Sequence, residues 1–250
     1  MFTTKTIEFS SVDLYSSLKQ DCPVPIKTNI PKWFKDLNHT PENETIKGCV
    51  PFLETLTTGY LLKIPQSIKV YFNVINPQTN KPDIFLKINQ RFSNEIAQAY
   101  GLNLLNNGEP GHPIHQLGEC PYVNTNKNLS FVKIINPWRI KTPPGYSCLF
   151  LPPLNNTDDR FFIIPGIVHT DKFPLEVNFP IVINGDKYPT LETILEKGTP
   201  YVQVIPFKRE SWKMKITSLS VQEKRKGRLM LSLDIFHVYK KKWWDKVSWK

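Results

Sequence analysis

The chain is 250 residues long with a net charge of +10, 40% apolar and 12% aromatic side chains. That apolar content is enough for a full hydrophobic core in one domain and excludes a disordered polyelectrolyte. No run approaches the roughly 18 apolar residues of a membrane-spanning helix, and the first twenty residues lack the basic-then-apolar order of a secretory leader. The expectation is therefore a protein kept in a cytoplasm, with no membrane partner. Four scattered cysteines, Cys22, Cys49, Cys120 and Cys148, read as free thiols, and the 22 prolines favour strands and loops over long helices.

In chain order, Thr6 to Ser10 reads as a short strand, followed by a polar stretch. In IPKWFKDL, residues 30 to 37, Trp33 and Phe34 follow a proline, a pattern that docks a loop on a core through an aromatic anchor. Residues 57 to 75 give two β-type runs broken at Pro65. Ile68, Val70 and Phe72 alternate in the second, so a hairpin or bent strand pair is expected. The best helix is residues 93 to 105, where Ser93 caps the start and Ile96, Ala99 and Tyr100 share a face.

Short apolar runs with Pro, Gly and Asn punctuation then recur from residue 129 to 207. Pro143, Pro144 and Gly145 form a tight turn, after which Tyr146 and Leu149 are expected to enter the core. Gly198 and Pro200 open a strand that turns Val202, Val204 and Ile205 inward. From residue 213 to 239 a hairpin is expected around the charged turn QEKRKG. A helix through Ser218 to Arg228 competes with it, because that stretch lacks proline and ends near Gly227. The sum predicts one mainly β domain, an antiparallel barrel or sandwich of jelly-roll, cupin-like or β-clip-like type with one or two short helices.

Charge is unevenly distributed. From Lys208 to Lys250, 13 lysines and arginines face 4 aspartates and glutamates, a local charge of +9 that leaves +1 for the first 207 residues. Lys224, Arg225, Lys226, Lys240, Lys241 and Lys242 are interleaved with Trp212, Trp243 and Trp244. Cations release counterions from phosphates while aromatics stack on bases, so nucleic acid is one partner for this segment. An acidic protein surface is the other, since tryptophan beside cations also suits protein interfaces. An oligomer is compatible with either.

Two clusters invite a metal. His169 and Asp171, with His237 further on, have the composition of a two-histidine, one-carboxylate iron site. If 169 to 171 is a strand, both side chains face the same way. Lys240 to Lys242 are the cations nearest His237 that could meet a cosubstrate carboxylate. His112, His115 and Cys120 offer zinc-type donors without a CxxC half-site. Against both stands the plain reading of loop histidines and a loop aspartate, with no cofactor. No GxSxG elbow, GxxxxGK[ST] loop or GxGxxG turn occurs, which leaves hydrolase, ATP and dinucleotide chemistry without support.

NPWRIKTPPGYSCLFLPP (136 to 153), KGTPYVQVIPFKRESWK (197 to 213), IPKWF and KGCVPFLETLTTGYLLKIP together resemble an uncharacterised family of bacteria and tailed bacteriophages, marine phages among them. That resemblance implies a location in a bacterial host's cytoplasm or in a virion, and brings no catalytic residues. TPPGYS, PGIVHTD and KGTPYVQVIPF, in that order, also resemble the turns and strand of the dUTPase and dCTP-deaminase β fold, whose Arg-Ser-Ser phosphate motif this chain lacks. If a ligand pocket exists, Arg139, Gln203, Lys208 and Arg209 are its polar lining; otherwise these motifs set turns.

The reading that emerges is a phage-type accessory or virion-associated protein. It binds a protein or nucleic acid through its basic C-terminal end and performs no catalysis. The runner-up is an Fe(II)/2-oxoglutarate-type oxygenase using His169, Asp171 and His237, and a nucleotide-binding β protein comes third.

Overall fold

Proline and glycine cut the chain into short extended pieces, and short extended pieces bury apolar side chains by pairing into sheets. In the computed structural model, described for residues 4–11, 22–87, 105, 110–117, 129–156, 158–233 and 239–250, those pieces form fourteen strands. They are β1 (Glu8–Ser10), β2 (Val24–Pro25), β3 (Tyr60–Lys63), β4 (Ile68–Ile75), β5 (Pro82–Lys87), β6 (Gly111–His112) and β7 (Phe131–Ile134). They continue with β8 (Arg139–Lys141), β9 (Tyr146–Leu151), β10 (Phe161–Ile163), β11 (Gly166–Val168), β12 (Phe179–Ile183), β13 (Leu191–Leu195) and β14 (Pro200–Lys208). Four short helices accompany them: α1 (Lys32–Asp36), α2 (Val50–Thr55), α3 (Ile114–Leu117) and α4 (Val221–Leu233).

The chain divides into two units: a β body, Met1–Val24 with Tyr60–Lys208, and an accessory unit, Pro25–Gly59 with Arg209–Lys250. The sheets run β11-β9-β14-β3-β2, β10-β12-β7-β6, β13-β4-β5 and β1-β8, and among the described residues none closes on itself into a barrel. Their paired strands are antiparallel. Mainly β, antiparallel architecture with a few short helices is therefore what the chain adopts.

One core unites the sheets of the body. Leu62, Val70, Phe72, Ile134, Phe150, Ile163, Phe179, Ile181 and Val204, from seven different strands, form a single buried cluster. Alternation along each strand puts these side chains inward, as in a sandwich. The tight turn forms as expected: Tyr146 N–H donates to Pro143 O at 3.1 Å, and Gly145 sits at φ +85°, where a Cβ would be strained.

Three sequence expectations are corrected here. The runs around Pro65 are both strands, but β3 pairs with β14 while β4 pairs with β13 and β5, so they are no hairpin. Pro65 lies in the four-residue link Ile64–Ser67, where it has no N–H to give a ladder, and Ile64 N–H and O pair instead with Thr199 and Gly198 beside β14. After the tight turn, Ser147, Cys148 and Phe150 are buried, whereas Tyr146 and Leu149 are only half-buried.

The third correction concerns residues 213 to 239. Val221–Leu233 is a helix, not the second half of a hairpin. Ser220 Oγ accepts from Glu223 N–H at 3.2 Å, and Glu223 Oε2 accepts from Ser220 N–H at 3.0 Å and from its hydroxyl at 2.7 Å. That reciprocal box satisfies donors that a helix start leaves open, and it decides the contest with the strand. All of the helix expected at 93 to 105 except Leu105 lies outside the described residues.

Candidate interaction segment

The C-terminal segment leaves the body at Lys208, the last residue of β14, which pairs with Tyr146. Residues 209 to 220 then run without helix, strand, turn or bend. Along it Trp212, Met214 and Ile216 alternate in sequence with Lys213, Lys215 and Thr217. The apolar three are 89%, 83% and 85% exposed, and Leu219 beyond them is exposed too. Large apolar side chains grouped this closely and this open are unusual on a soluble surface and mark a place where another surface can dock.

The exposed, capped helix α4 follows. Lys224, Arg225, Lys226 and Arg228 all project into solvent, and the Ser220 hydrogen bonds lower the pKa of Glu223, the first-turn carboxylate. Lys240, Lys241 and Lys242 lie in a single wide turn, Tyr239–Trp243, and are exposed.

The tryptophans of this segment separate into two roles. Trp244 Nε1 donates to Glu54 Oε1 at 2.7 Å, tying the C-terminal end to α2 across 190 residues of sequence. Trp243 is exposed and meets Tyr239 edge-on at 6.4 Å. Trp212 is the most exposed. Within the same unit, Phe34 is buried and stacks on Phe52 at 5.8 Å, so it is the anchor expected of IPKWF, while Trp33 beside it stays 46% exposed. Lys47 Nζ closes that region by donating to Lys35 O and Leu37 O at the end of α1.

Of the residues expected to line a pocket, Gln203 and Lys208 lie well apart on β14. Gln203 is fully buried, and its Oε1 accepts from Leu154 N–H at 2.9 Å, holding the loop after β9. Lys208, five residues along the same strand and exposed, is roughly 17 Å away at the rise of a β-strand. Arg139 is exposed on β8, in the separate two-stranded sheet, and Arg209 belongs to the accessory unit.

The metal expectations meet a different geometry from the one anticipated. Strand β11 ends at Val168, so His169 and Asp171 sit on the following turn instead of facing one way along a strand. His169 is exposed; its carbonyl accepts from Lys172 and Phe173 N–H groups. Asp171 Oδ2 accepts from Gly145 N–H at 2.9 Å, clipping this turn to the Pro143–Gly145 turn. Thr170 between them is buried and bonds Thr142 Oγ1 at 2.7 Å. Its hydroxyl also donates to Cys148 Sγ, a thiol whose pKa burial raises to about 11.

His237 lies outside the described residues, as does Cys120 of the zinc cluster. Among the described residues no group of three or more His, Cys, Asp or Glu side chains is placed to hold a metal ion. No helix described is long and apolar enough to cross a membrane.

What sequence reading passes over is the exposure of Met214, Ile216 and Leu219. The signal is the alternation W-K-M-K-I, which fits the first strand of the expected hairpin equally well. Comparison with known proteins adds no relative: no family model, no curated protein and no solved structure matches the chain.

Proposed function

We propose that the chain is a non-enzymatic, phage-type accessory or virion-associated protein whose C-terminal arm, residues 212 to 219, docks on a protein partner. The observation that carries this reading is the exposed row Trp212, Met214 and Ile216, alternating with Lys213 and Lys215 on an unbent run of chain. A chain of that shape lays itself along a sheet edge or groove, with alternate side chains in pockets and main chain against main chain. The lysines between them fit carboxylates on the rim of that groove.

Nucleic acid is the second reading, favoured by the exposed cations of α4 and by Trp212 itself. It accounts for less of the arm, because Met214, Ile216 and Leu219 present no ring for a base to stack on. Anchoring of both ends, at β14 and at the Ser220 box, presents the arm with part of its ordering cost already met.

The two readings separate on labelled probes: a random Glu/Tyr copolymer as an acidic, aromatic polypeptide, and oligothymidylate. Protein docking predicts that the copolymer binds and that Met214→Ala with Ile216→Ala weakens it at least tenfold. Tighter binding of oligothymidylate, untouched by those substitutions and falling steeply with salt, replaces the protein partner with nucleic acid. Binding of neither probe removes the arm from the function.

A further inference from the structure

We infer that Lys133, on the outer face of the β10-β12-β7-β6 sheet, is a covalent capture site for an aldehyde with an apolar body, which its amine takes up as an imine. Along β7, Val132 and Ile134 are buried in the core, so Phe131 and Lys133 face the other way. Lys133 pairs on one side with Pro180 of β12, and on the other its backbone N–H donates to Pro110 O, just before β6, at 2.8 Å. A proline thus stands on either side of it, and neither offers a side-chain acceptor to an ammonium.

This face is sheltered. Phe179, Ile181 and Ile183 of β12 belong to the core, which leaves Val182 with Pro180 on the outer face, and yet Val182 is only 2% exposed. Lys133 is half-buried there, and among the described residues its ammonium forms no ion pair and no side-chain hydrogen bond. In the four strands of this sheet the other titratable side chain is His112, paired with Phe131 and bonded through Nδ1 to Gln116 Oε1, so no carboxylate answers the lysine. Arg160, a partly buried cation elsewhere in the body, is by contrast held by Asp158, Thr193 and Ile194. Burial with nothing to offset it lowers the Lys133 pKa from the ordinary lysine value.

An unpaired ammonium in such a setting bears its desolvation cost, whereas the neutral amine does not, and the neutral amine is the nucleophile. Its lone pair adds to the carbonyl carbon and a C–N bond forms. The carbonyl oxygen then leaves as water with the two amine protons, and a C=N bond remains, with no oxidant or reductant needed. The imine is uncharged, and an alkyl or aryl group on its carbon meets Phe131 and the two prolines instead of water. An aldehyde carrying a carboxylate brings a charge back into the same apolar surroundings.

The test uses the full-length folded protein, limiting benzaldehyde and cyanoborohydride at neutral pH. Hydride from the cyanoborohydride reduces the imine to a stable benzylamine, and peptide mass spectrometry ranks the lysines by rate. Lys133 is expected to react roughly fivefold faster than the exposed Lys224, Lys226 and Lys240 to Lys242. With glyoxylate, an anionic aldehyde, that preference should shrink by about threefold or more. Unfolding in denaturant before labelling should level the rates.

Labelling of Lys133 no faster than that of the exposed lysines overturns the inference. Equal preference for benzaldehyde and glyoxylate overturns the apolar ligand, and a preference that survives unfolding overturns the role of the sheet face. None of these outcomes touches the docking arm, because the site lies wholly in strands of the body.

Discussion

The body and the accessory unit handle apolar side chains in opposite ways. In the body, strands from several sheets send Val70, Ile134, Phe150, Ile163, Ile181 and Val204 into one core, and few large apolar groups are left outside. Among the described residues, the accessory unit buries Ile26, Phe34, Val50 and Leu56, yet exposes Trp33, Ile46, Trp212, Met214, Ile216, Leu219, Val221, Leu229, Trp243 and Val247. A domain that keeps more large apolar side chains outside than inside gains little by folding alone. The contrast teaches that most of the buried core resides in one unit and most of the exposed apolar surface in the other, so substitutions in the two should fail in different ways.

The largest effect belongs to the body. Phe150 is buried against Phe179, with ring centroids 5.4 Å apart, and truncation leaves a cavity that rigid strands close poorly. Phe150→Ala is expected to cost about 4 kcal/mol in denaturant unfolding followed through buried Trp138. Alanine at Trp212, Met214 and Ile216 together should move the same midpoint by no more than about 0.5 kcal/mol, since those side chains touch little. Equal losses from both would erase the division between the units.

A second, smaller loss sharpens the picture of how the body fixes its loops. Asp158 is paired with Arg160 at 2.6 Å, and Arg160 in turn covers the β13 edge. Burial pushes the Asp158 carboxyl up, but the Arg160 hydrogen bonds outweigh it, and the net shift is downward. A carboxylate with a depressed folded pKa contributes stability that is present above its unfolded value and lost as pH falls through the folded one. Asp158→Asn should therefore cost about 2 kcal/mol at neutral pH, and the gap to wild type should close below about pH 4. A gap that persists at acid pH would mean that the side chain's shape, not its charge, holds the loop.

Much of this body was legible from punctuation alone. The turn at Pro143–Gly145 and the strands carrying Ile68, Val70 and Phe72 follow from φ restrictions and alternation, which are local. Partners were not legible, because β3 and β4 join different sheets for reasons that lie in contacts far along the chain. The site was legible by charge and not by shape. Composition flagged the C-terminal cations and Trp212, but the alternation W-K-M-K-I is identical for a buried strand and for an exposed arm. Trp244 reads the same as Trp212 in sequence, and only the hydrogen bond to Glu54 assigns it to anchoring.

The smallest effect probes the boundary between arm and helix, where the same ambiguity arose. The S-V-Q-E box at Ser220 to Glu223 was present in the sequence, and it competes with the strand reading through hydrogen bonds worth only about 1 kcal/mol. Helix α4 is exposed over residues 221 to 229, so little packing stands behind that cap. Ser220→Ala should cost about 1 kcal/mol of helix stability, read as lost helical circular dichroism with the core's unfolding midpoint unchanged. It should also weaken arm docking a few-fold, because an uncapped end frees residues whose ordering must then be met on binding. Loss of helix without any change in docking would show that the arm is positioned from β14 alone.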